Sequence, residues 1–440
     1  MSQQNKEVNY LAPFIMLVIL FFFVGFLTTA NGQFQGPLKT AFLNGAGDLK
    51  NTFATLISFS WFMAYPLTGG IASSWVNKYG YKRTLIQGLL VLIVGLGIFW
   101  LSSWYTVQFP GSNVEIASAT VPVGYFIFLL GSFVVGAAAT VLQVVINPYL
   151  TACSVKGTQA VQRINIGGAG NSIGTTIAPF FVTGIVFGGL AMEDLKVEQM
   201  QTPFICLMAV FAIVTFILSR FTLPDIQGTR ANDGVKLEKS VWSFSHLTLG
   251  VVGLFFYVGV EVCIGANLNM YAIDLEKSGA HFSFFGKDAL SILGVNFSIP
   301  ALMATLYWGG MLIGRLISSS LSKIPPQVQL SVTAISAAIF TVLAIVVNNP
   351  WLLTVVGLFH SVMWGAIFTL AINRLGKYTS LASGALMVGV LGGALLPLLQ
   401  GILADAMGGE WRWTWFIVIV GELYIIYYAL IGSKVKTSAD

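Results

Sequence analysis

Long apolar runs recur from one end of the chain to the other, separated by short polar breaks. In the first half they cover residues 11–29, 53–76, 84–105, 123–150, 164–188 and 204–220; in the second, 247–272, 299–321, 328–347, 352–372, 383–403 and 413–431. A helix of roughly twenty residues crosses a hydrocarbon core of about 30 Å, so each run has the length of one membrane span. The runs do not alternate with period two, which excludes a transmembrane β-barrel and leaves helices. The pattern predicts an all-α integral membrane protein of about twelve transmembrane helices. The first run is too long, and lacks the small-residue cleavage site, for a removed signal peptide, so it is expected to remain as the first helix.

Composition agrees with this reading. Of 440 residues, 56% are hydrophobic and 9% charged, and the mean hydropathy is +0.82, far from the soluble range. The net charge of +5 would suit an acidic partner, but its distribution argues for topology instead. If the spans alternate, Lys39, Lys50, Lys196, Lys277, Lys287 and Arg412 face one side, and the other 16 of the 22 Lys and Arg face the side of the termini. The positive-inside rule then makes both termini cytoplasmic. Nucleic acid is not an expected partner; membrane lipid and a small molecule are, and the chain is expected to be a monomer. Cys153, Cys206 and Cys263 sit in or beside apolar runs and offer neither a disulfide framework nor a metal spacing. There is no H-E-x-x-H, no G-x-S-x-G and no nucleotide-binding loop, so nothing points to an enzyme.

The chain repeats itself. LFFFVGF at 20–26 returns as LFFYVGV at 254–260, an offset of 234 that places Gly25 over Gly259. The fourth and tenth runs both end in Ile-Asn, at Ile146–Asn147 and Ile372–Asn373, and the fifth and eleventh carry a Gly and a Pro five apart, Gly174 with Pro179 and Gly392 with Pro397. The longest polar segment, PDIQGTRANDGVKLEKS at 224–240, falls between the copies. Two parallel six-helix repeats are the mark of transporters that rock about a central site. The expected division is a first bundle over 1–222, a cytoplasmic linker over 223–245 and a second bundle over 246–440.

Several motifs carry a family resemblance. NKYGYKR at 77–83 resembles the basic loop between the second and third helices of the major facilitator superfamily, with Asn77 where an aspartate is usual. INPYL at 146–150, QRIN at 162–165, GNSIG at 170–174 and FFYVGVEVCIG at 255–265 resemble its fucose permease-like branch, the fucose/glucose/galactose:cation symporters. The resemblance implies the major facilitator fold in a bacterial cytoplasmic membrane, with the first, fourth, seventh and tenth helices lining the cavity. It also shows departures. The acidic positions that fucose permease-like members carry in the first and fourth helices fall on Gln33 and Gln143, and the glutamine after the family's RLN falls on Gly168.

An ionised side chain inside a span costs about 2.5–3.5 kcal/mol on insertion scales, so an intramembrane acid is a functional candidate. Glu261 and Glu422 qualify. Glu261 lies one turn after Tyr257 and one before Gly265, on one helical face; it is the expected ion-coupling residue, and a sodium site near it is the only metal site to consider. The alternative for Glu261 is a structural pair with Arg315. Glu422, on the peripheral last helix of the resembled fold, is expected to make a helix–helix hydrogen bond.

A sugar needs uncharged donors and acceptors and flat aromatic surface. Pairs four apart present one face: Asn31 with Gln35, Gln143 with Asn147, and His360 with Trp364. With Gln33, Asn171, Tyr257 and Asn267 these form the expected substrate-binding set. Any single amide among Asn165, Asn171 and Gln400 can equally serve an interhelical hydrogen bond. Arg163, Arg315 and Arg374 lie near span ends and read as gating or structural residues that snorkel or cap helix ends. Gly167, Gly168, Gly170 and Gly174 read as sites of close helix approach. The expected activity is secondary active import of a neutral hexose such as glucose or galactose, driven by a proton or sodium gradient, with no other cofactor. Alternatives are an uncoupled uniporter, an N-acetylhexosamine importer using the room at Gly168, and an efflux pump on the same fold.

Overall fold

The computed structural model describes residues 10–158, 160–190, 194–223, 239–292, 295–320, 324–375 and 378–436. Most of the inferred linker, 224–238, lies outside them, as do Lys6, Arg230, Lys236, Lys323 and Lys377; the side chains of Asn77, Gln162 and Asn165 are likewise not described. The first half comprises α1 (Leu11–Gln33), α2 (Gln35–Ala41), α3 (Lys50–Gln108), α4 (Val123–Ala152), α5 (Ala160–Phe180) and α6 (Gln201–Arg220). The second comprises α7 (Ser245–Lys277), α8 (Ile299–Ser320), α9 (Pro326–Val347), α10 (Trp351–His360), α11 (Met363–Ala371), α12 (Thr379–Val388), α13 (Gly392–Ala406) and α14 (Phe416–Tyr427). Two short antiparallel hairpins, β1 (Asn113–Ile116) with β2 (Ala119–Pro122) and β3 (Ala289–Ile292) with β4 (Val295–Ser298), sit at the end where α1 and α5 finish; that end is called the hairpin end below.

Among the described residues, eleven helices are long and apolar enough to cross a membrane. The twelfth expected span, 53–76, is helical as well, inside α3. It is the polar one, with Thr55 and Ser58 fully buried against neighbouring helices; a span sheltered by protein need not be apolar towards lipid. The second and third spans meet at Gly80, whose φ of 78° and ψ of 172° bend the chain inside NKYGYKR, a conformation open to glycine and strained for other residues.

Four spans depart from the sequence pattern. The first helix runs on through α2, so Asn31, Gln33 and Gln35 lie buried within the span instead of at its end. The tenth span breaks after His360, between α10 and α11. The eleventh passes through a tight 3-10 turn at Gly389–Leu391 between α12 and α13. Past Pro179 the fifth span loosens into a π-helical stretch, Phe181–Val186, because the proline removes one ladder hydrogen bond.

The repeat has a physical basis. A Cβ at Gly174 of α5 would lie 2.2 Å from the Phe22 carbonyl oxygen of α1, and one at Gly392, at the start of α13, would lie 1.7 Å from the Phe255 carbonyl oxygen of α7. In return, a Cβ at Gly25 would meet Asn171 on α5, and one at Gly259 would meet Leu396 on α13. The same pair of helices is therefore brought backbone to backbone in each half.

Candidate functional site

The two halves meet along α3 against α13 and α5 against α8, and hydrogen bonds cross this seam at three levels. At the hairpin end, Lys39 Nζ pairs with Asp274 Oδ2 at 2.6 Å, and Trp411 Nε1 donates to the same oxygen at 3.0 Å. Beside them Asp405, on α13, accepts from the backbone N–H groups of Asn51 and Thr52 in the first turn of α3, at 3.0 and 2.6 Å. A carboxylate from one half thus caps a helix of the other, where orphan N–H groups and the positive end of the helix dipole favour an anion. In the middle, Gln33 Nε2 donates to the Gly265 carbonyl at 2.8 Å. At the opposite end, Arg315 Nη1 donates to the Gly168 carbonyl at 3.1 Å and to Ser172 Oγ.

Arg315 also donates from Nε to the Ser361 carbonyl at 3.4 Å. That carbonyl sits in the break after His360, so the guanidinium joins α8, the broken tenth span and α5. No ion pair joins Arg315 to Glu261 among the described residues; Glu261 has Arg315, His360 and Tyr257 as electrostatic neighbours and, although protein surrounds it closely, is not sealed from open space.

Next to Glu261 lies a sealed polar chain. Tyr307 Oη is hydrogen-bonded to His360 Nδ1 at 2.7 Å and reaches the Glu261 backbone carbonyl at 3.2 Å. His360 Nε2 is hydrogen-bonded to Glu422 Oε1 at 2.7 Å. Tyr307, His360 and Glu422 are fully buried, and Glu422 Oε2 has no hydrogen-bond partner among the described residues. Tyr257 places its ring edge-on to both His360 and Trp364, at 6.1 and 6.4 Å between centroids, so the latter two share a face despite the helix break. The break is held by glycines: a Cβ at Gly357 would meet the Tyr307 carbonyl at 2.1 Å, and one at Gly314 would meet Leu358 and Ser361. Hence α8 and α10 lie nearly backbone to backbone.

The amides distribute otherwise. Asn31 spends its side chain inside the first half, donating to the Ile57 carbonyl and accepting from Ser132 Oγ at 2.9 Å. Gln35 donates to Ser58 Oγ, and Asn171 donates to the Phe21 carbonyl at 3.0 Å, fastening α5 to α1. Asn267 Nδ2 donates to Gln400 Oε1 at 2.9 Å, and Gln400 passes the chain on to Thr414. Gln143 Nε2 donates to Tyr65 Oη, and Asn147 lies one turn further along α4. Tyr65 stacks on Phe62, whose ring meets Gly393 across the seam. Arg163 closes the end of α4, donating to the Leu150 and Thr158 carbonyls at 3.0 Å each. Around Gly168 a Cβ would meet nothing within 4 Å, while Gly174 is closed by α1.

The Major Facilitator Superfamily model matches residues 17–390. The chain belongs to the Major Facilitator Superfamily. Among relatives, it is 31% identical to the glucose/galactose transporter of Brucella abortus biovar 1 (strain 9-941), over 98% of this chain and 97% of that one. It is 24% identical to the L-fucose-proton symporter of Escherichia coli (strain K12), over 91% and 88% of the two chains. Among solved structures, the E. coli fucose:proton symporter superposes with a TM-score of 0.65 at 20% identity, covering 97% of this chain and all of that one. The fold is thus that of the superfamily, two six-helix bundles in parallel repeat.

In this superfamily member the fully buried chain of Tyr307, His360 and Glu422 lies in the second bundle. Sequence reasoning placed Glu261, Tyr257 and His360 there. Tyr307 is not singled out by the sequence, and Glu422 is expected from it to make a helix–helix hydrogen bond. Glu422 does make a helix–helix hydrogen bond, but its partner is His360. The sequence does offer one signal: Glu261, Glu422 and His360 are conspicuous polar residues in the middle of apolar second-half runs; several tyrosines share those runs, so Tyr307 does not stand out among them.

Proposed function

We propose that this chain imports a neutral hexose, glucose or galactose, coupled to a proton or sodium gradient, by alternating exposure of a site between its two bundles. The hairpin end would face outward and both termini the cytoplasm of a bacterial inner membrane. The observation that carries this reading is the seam. Polar bonds cross it at both ends and at its middle, and they are of the kind that can break and re-form: one partly exposed ion pair, one helix cap, one amide and one guanidinium. The similarity over nearly full length to glucose/galactose transporters supports the substrate class. Gln143 from the first bundle and Trp364 from the second, both partly exposed, offer amide and aromatic surface of the kind a hexose needs. Glu261 would be the coupling carboxylate, since it touches open space beside Arg315.

Because an added Cβ at Gly168 would meet nothing within 4 Å, N-acetylglucosamine belongs in the competition series beside glucose and galactose.

The test is uptake of labelled glucose into proteoliposomes under a proton gradient, a sodium gradient or neither, for the wild type and Glu261→Gln. Accumulation above equilibrium under one gradient, lost in the variant while exchange persists, is the expected result. Merely equilibrating uptake under all conditions would make the protein a uniporter, and absence of uptake with both sugars would overturn the substrate assignment.

A further inference from the structure

The Tyr307 hydroxyl lies within hydrogen-bond distance of two groups, His360 Nδ1 at 2.7 Å and the Glu261 backbone carbonyl at 3.2 Å; in the neutral tautomer that places its N–H on Glu422 both are acceptors, and the hydroxyl has one hydrogen to donate. We propose that His360 is a proton-binding residue whose protonation redirects the Tyr307 hydroxyl from the imidazole to the Glu261 carbonyl, making the His360–Glu422–Tyr307 chain the proton switch of this transporter. The proposal rests on the coupled-import reading above and deepens it: it names the proton as the ion and adds, beside the Glu261 carboxylate, a second group through which proton binding reaches the helix that carries Glu261.

The two states follow from the hydrogen-bond inventory. With a neutral imidazole, Nε2–H donates to Glu422 Oε1 and Nδ1 accepts from Tyr307 O–H. Adding a proton forms an Nδ1–H bond and breaks none. That N–H now donates to the Tyr307 oxygen, and the Tyr307 O–H must turn away. The atom within its reach is the Glu261 carbonyl oxygen. The added charge is met by the Glu422 carboxylate, already bonded to the ring through Oε1, so the protonated state is an internal ion pair, which an apolar interior tolerates better than a lone carboxylate.

The other groups facing His360 are few. Tyr257 of α7 stands edge-on to the ring, Glu261 is an electrostatic neighbour, and Arg315 of α8 donates to the adjacent Ser361 carbonyl. Cys263 lies near Tyr307, and α9 carries no titratable side chain. The switch ends where it can move the bundles. The Glu261 carbonyl is the helical acceptor for Gly265, Gly265 packs directly on Trp308, next to Tyr307, and the Gly265 carbonyl accepts the Gln33 bond that crosses the seam. One proton at His360 thus changes the hydrogen bonding of the helical turn on which the two bundles meet.

The chain has three histidines, so ¹⁵N-histidine NMR of the purified full-length protein can follow each ring, with His360→Gln assigning its signals. The expected result is a His360 ring that gains a proton within the pH range over which the protein stays folded and active, with that behaviour altered in Tyr307→Phe. A wild-type ring that keeps one protonation state over that range would overturn the proposal. In proteoliposomes, Glu422→Gln, which keeps a hydrogen-bond partner for the ring, should lose accumulation driven by a proton gradient and keep sugar exchange. Accumulation driven by sodium alone, or proton-driven accumulation intact in both His360→Gln and Glu422→Gln, would also overturn it. A titrating His360 in a protein that moves no sugar would support the switch and remove the substrate reading, whereas glucose accumulation with a silent His360 would do the reverse.

Discussion

The two halves share a scaffold and differ in chemistry. Each brings its first and fifth helices together through paired glycines, Gly25 with Gly174 and Gly259 with Gly392, down to contacts that exclude even a methyl group. Yet α1, α3, α4, α5 and α6 contain no Asp or Glu, while Glu261 and Glu422 lie deep in the second half. In register with Glu261, at the offset of 234, the first half carries Leu27, which is buried and apolar. Both halves thus share what packing requires, whereas the buried acids, which must be matched by partners on neighbouring helices, lie in the second.

The sharpest way to test the shared scaffold is to overfill it. Gly392→Leu and Gly174→Leu each drive a side chain into a facing backbone carbonyl, at 1.7 and 2.2 Å already for Cβ. Overpacking costs about 1–3 kcal/mol where neighbours can give; here the neighbour is backbone, so both variants should fall at or beyond the top of that range. Thermal unfolding in detergent, followed by tryptophan fluorescence and size-exclusion profile, should show a large and similar loss for the two. Wild-type stability and uptake in Gly174→Leu with collapse of Gly392→Leu would mean that the halves are not equivalent in packing.

A smaller effect should separate the halves. Glu422→Ala strips a buried histidine of a charge-assisted partner, and removing one side of such a bond costs about 1.5–3 kcal/mol. Asn31→Ala in the first half removes a neutral amide whose contacts, Ser132 Oγ and the Ile57 carbonyl, also bond to one another at 2.9 Å. It should cost about 1 kcal/mol. Equal losses in unfolding experiments would contradict the claim that the second half holds the more demanding polar network.

How far the sequence revealed this arrangement depends on the range of the interaction. Span lengths, the repeat and its glycines are properties of local pattern, and they were readable because apolar length and the absence of Cβ act wherever the segment goes. Glu261 could be singled out because an acid in a span is conspicuous by itself. The break after His360 could not, since no proline marks it, and the close approach at Gly357 and Gly314 beside it joins α8 and α10, which are far apart in sequence. The His360–Glu422 bond joins residues 62 apart, and Tyr307 enters from a third helix, so their meeting depends on how helices pack and leaves no trace in spacing. The same is true of Asn31 and Asn171: an amide reads alike whether it faces a sugar or a neighbouring carbonyl.

The weakest expected effect concerns the contact where the halves meet most openly. Lys39 and Asp274 have side-chain exposures of 13% and 23%, so their attraction is partly screened and should contribute no more than the 0.2–1 kcal/mol typical of accessible ion pairs. Asp274 has a second obligation, because the same oxygen also accepts from Trp411 Nε1, and Trp411 is nearly fully buried. Lys39→Gln should therefore be almost silent in unfolding, whereas Asp274→Ala should cost more, by the bond that the tryptophan loses. A double-mutant cycle across Lys39 and Asp274, repeated at low and high salt, isolates the pair: its coupling should be small and shrink as salt rises. A coupling well above 1 kcal/mol that ignores salt would mean that this end of the seam is held as firmly as the interior of either half, and the contrast between rigid bundles and a breakable seam would fail there.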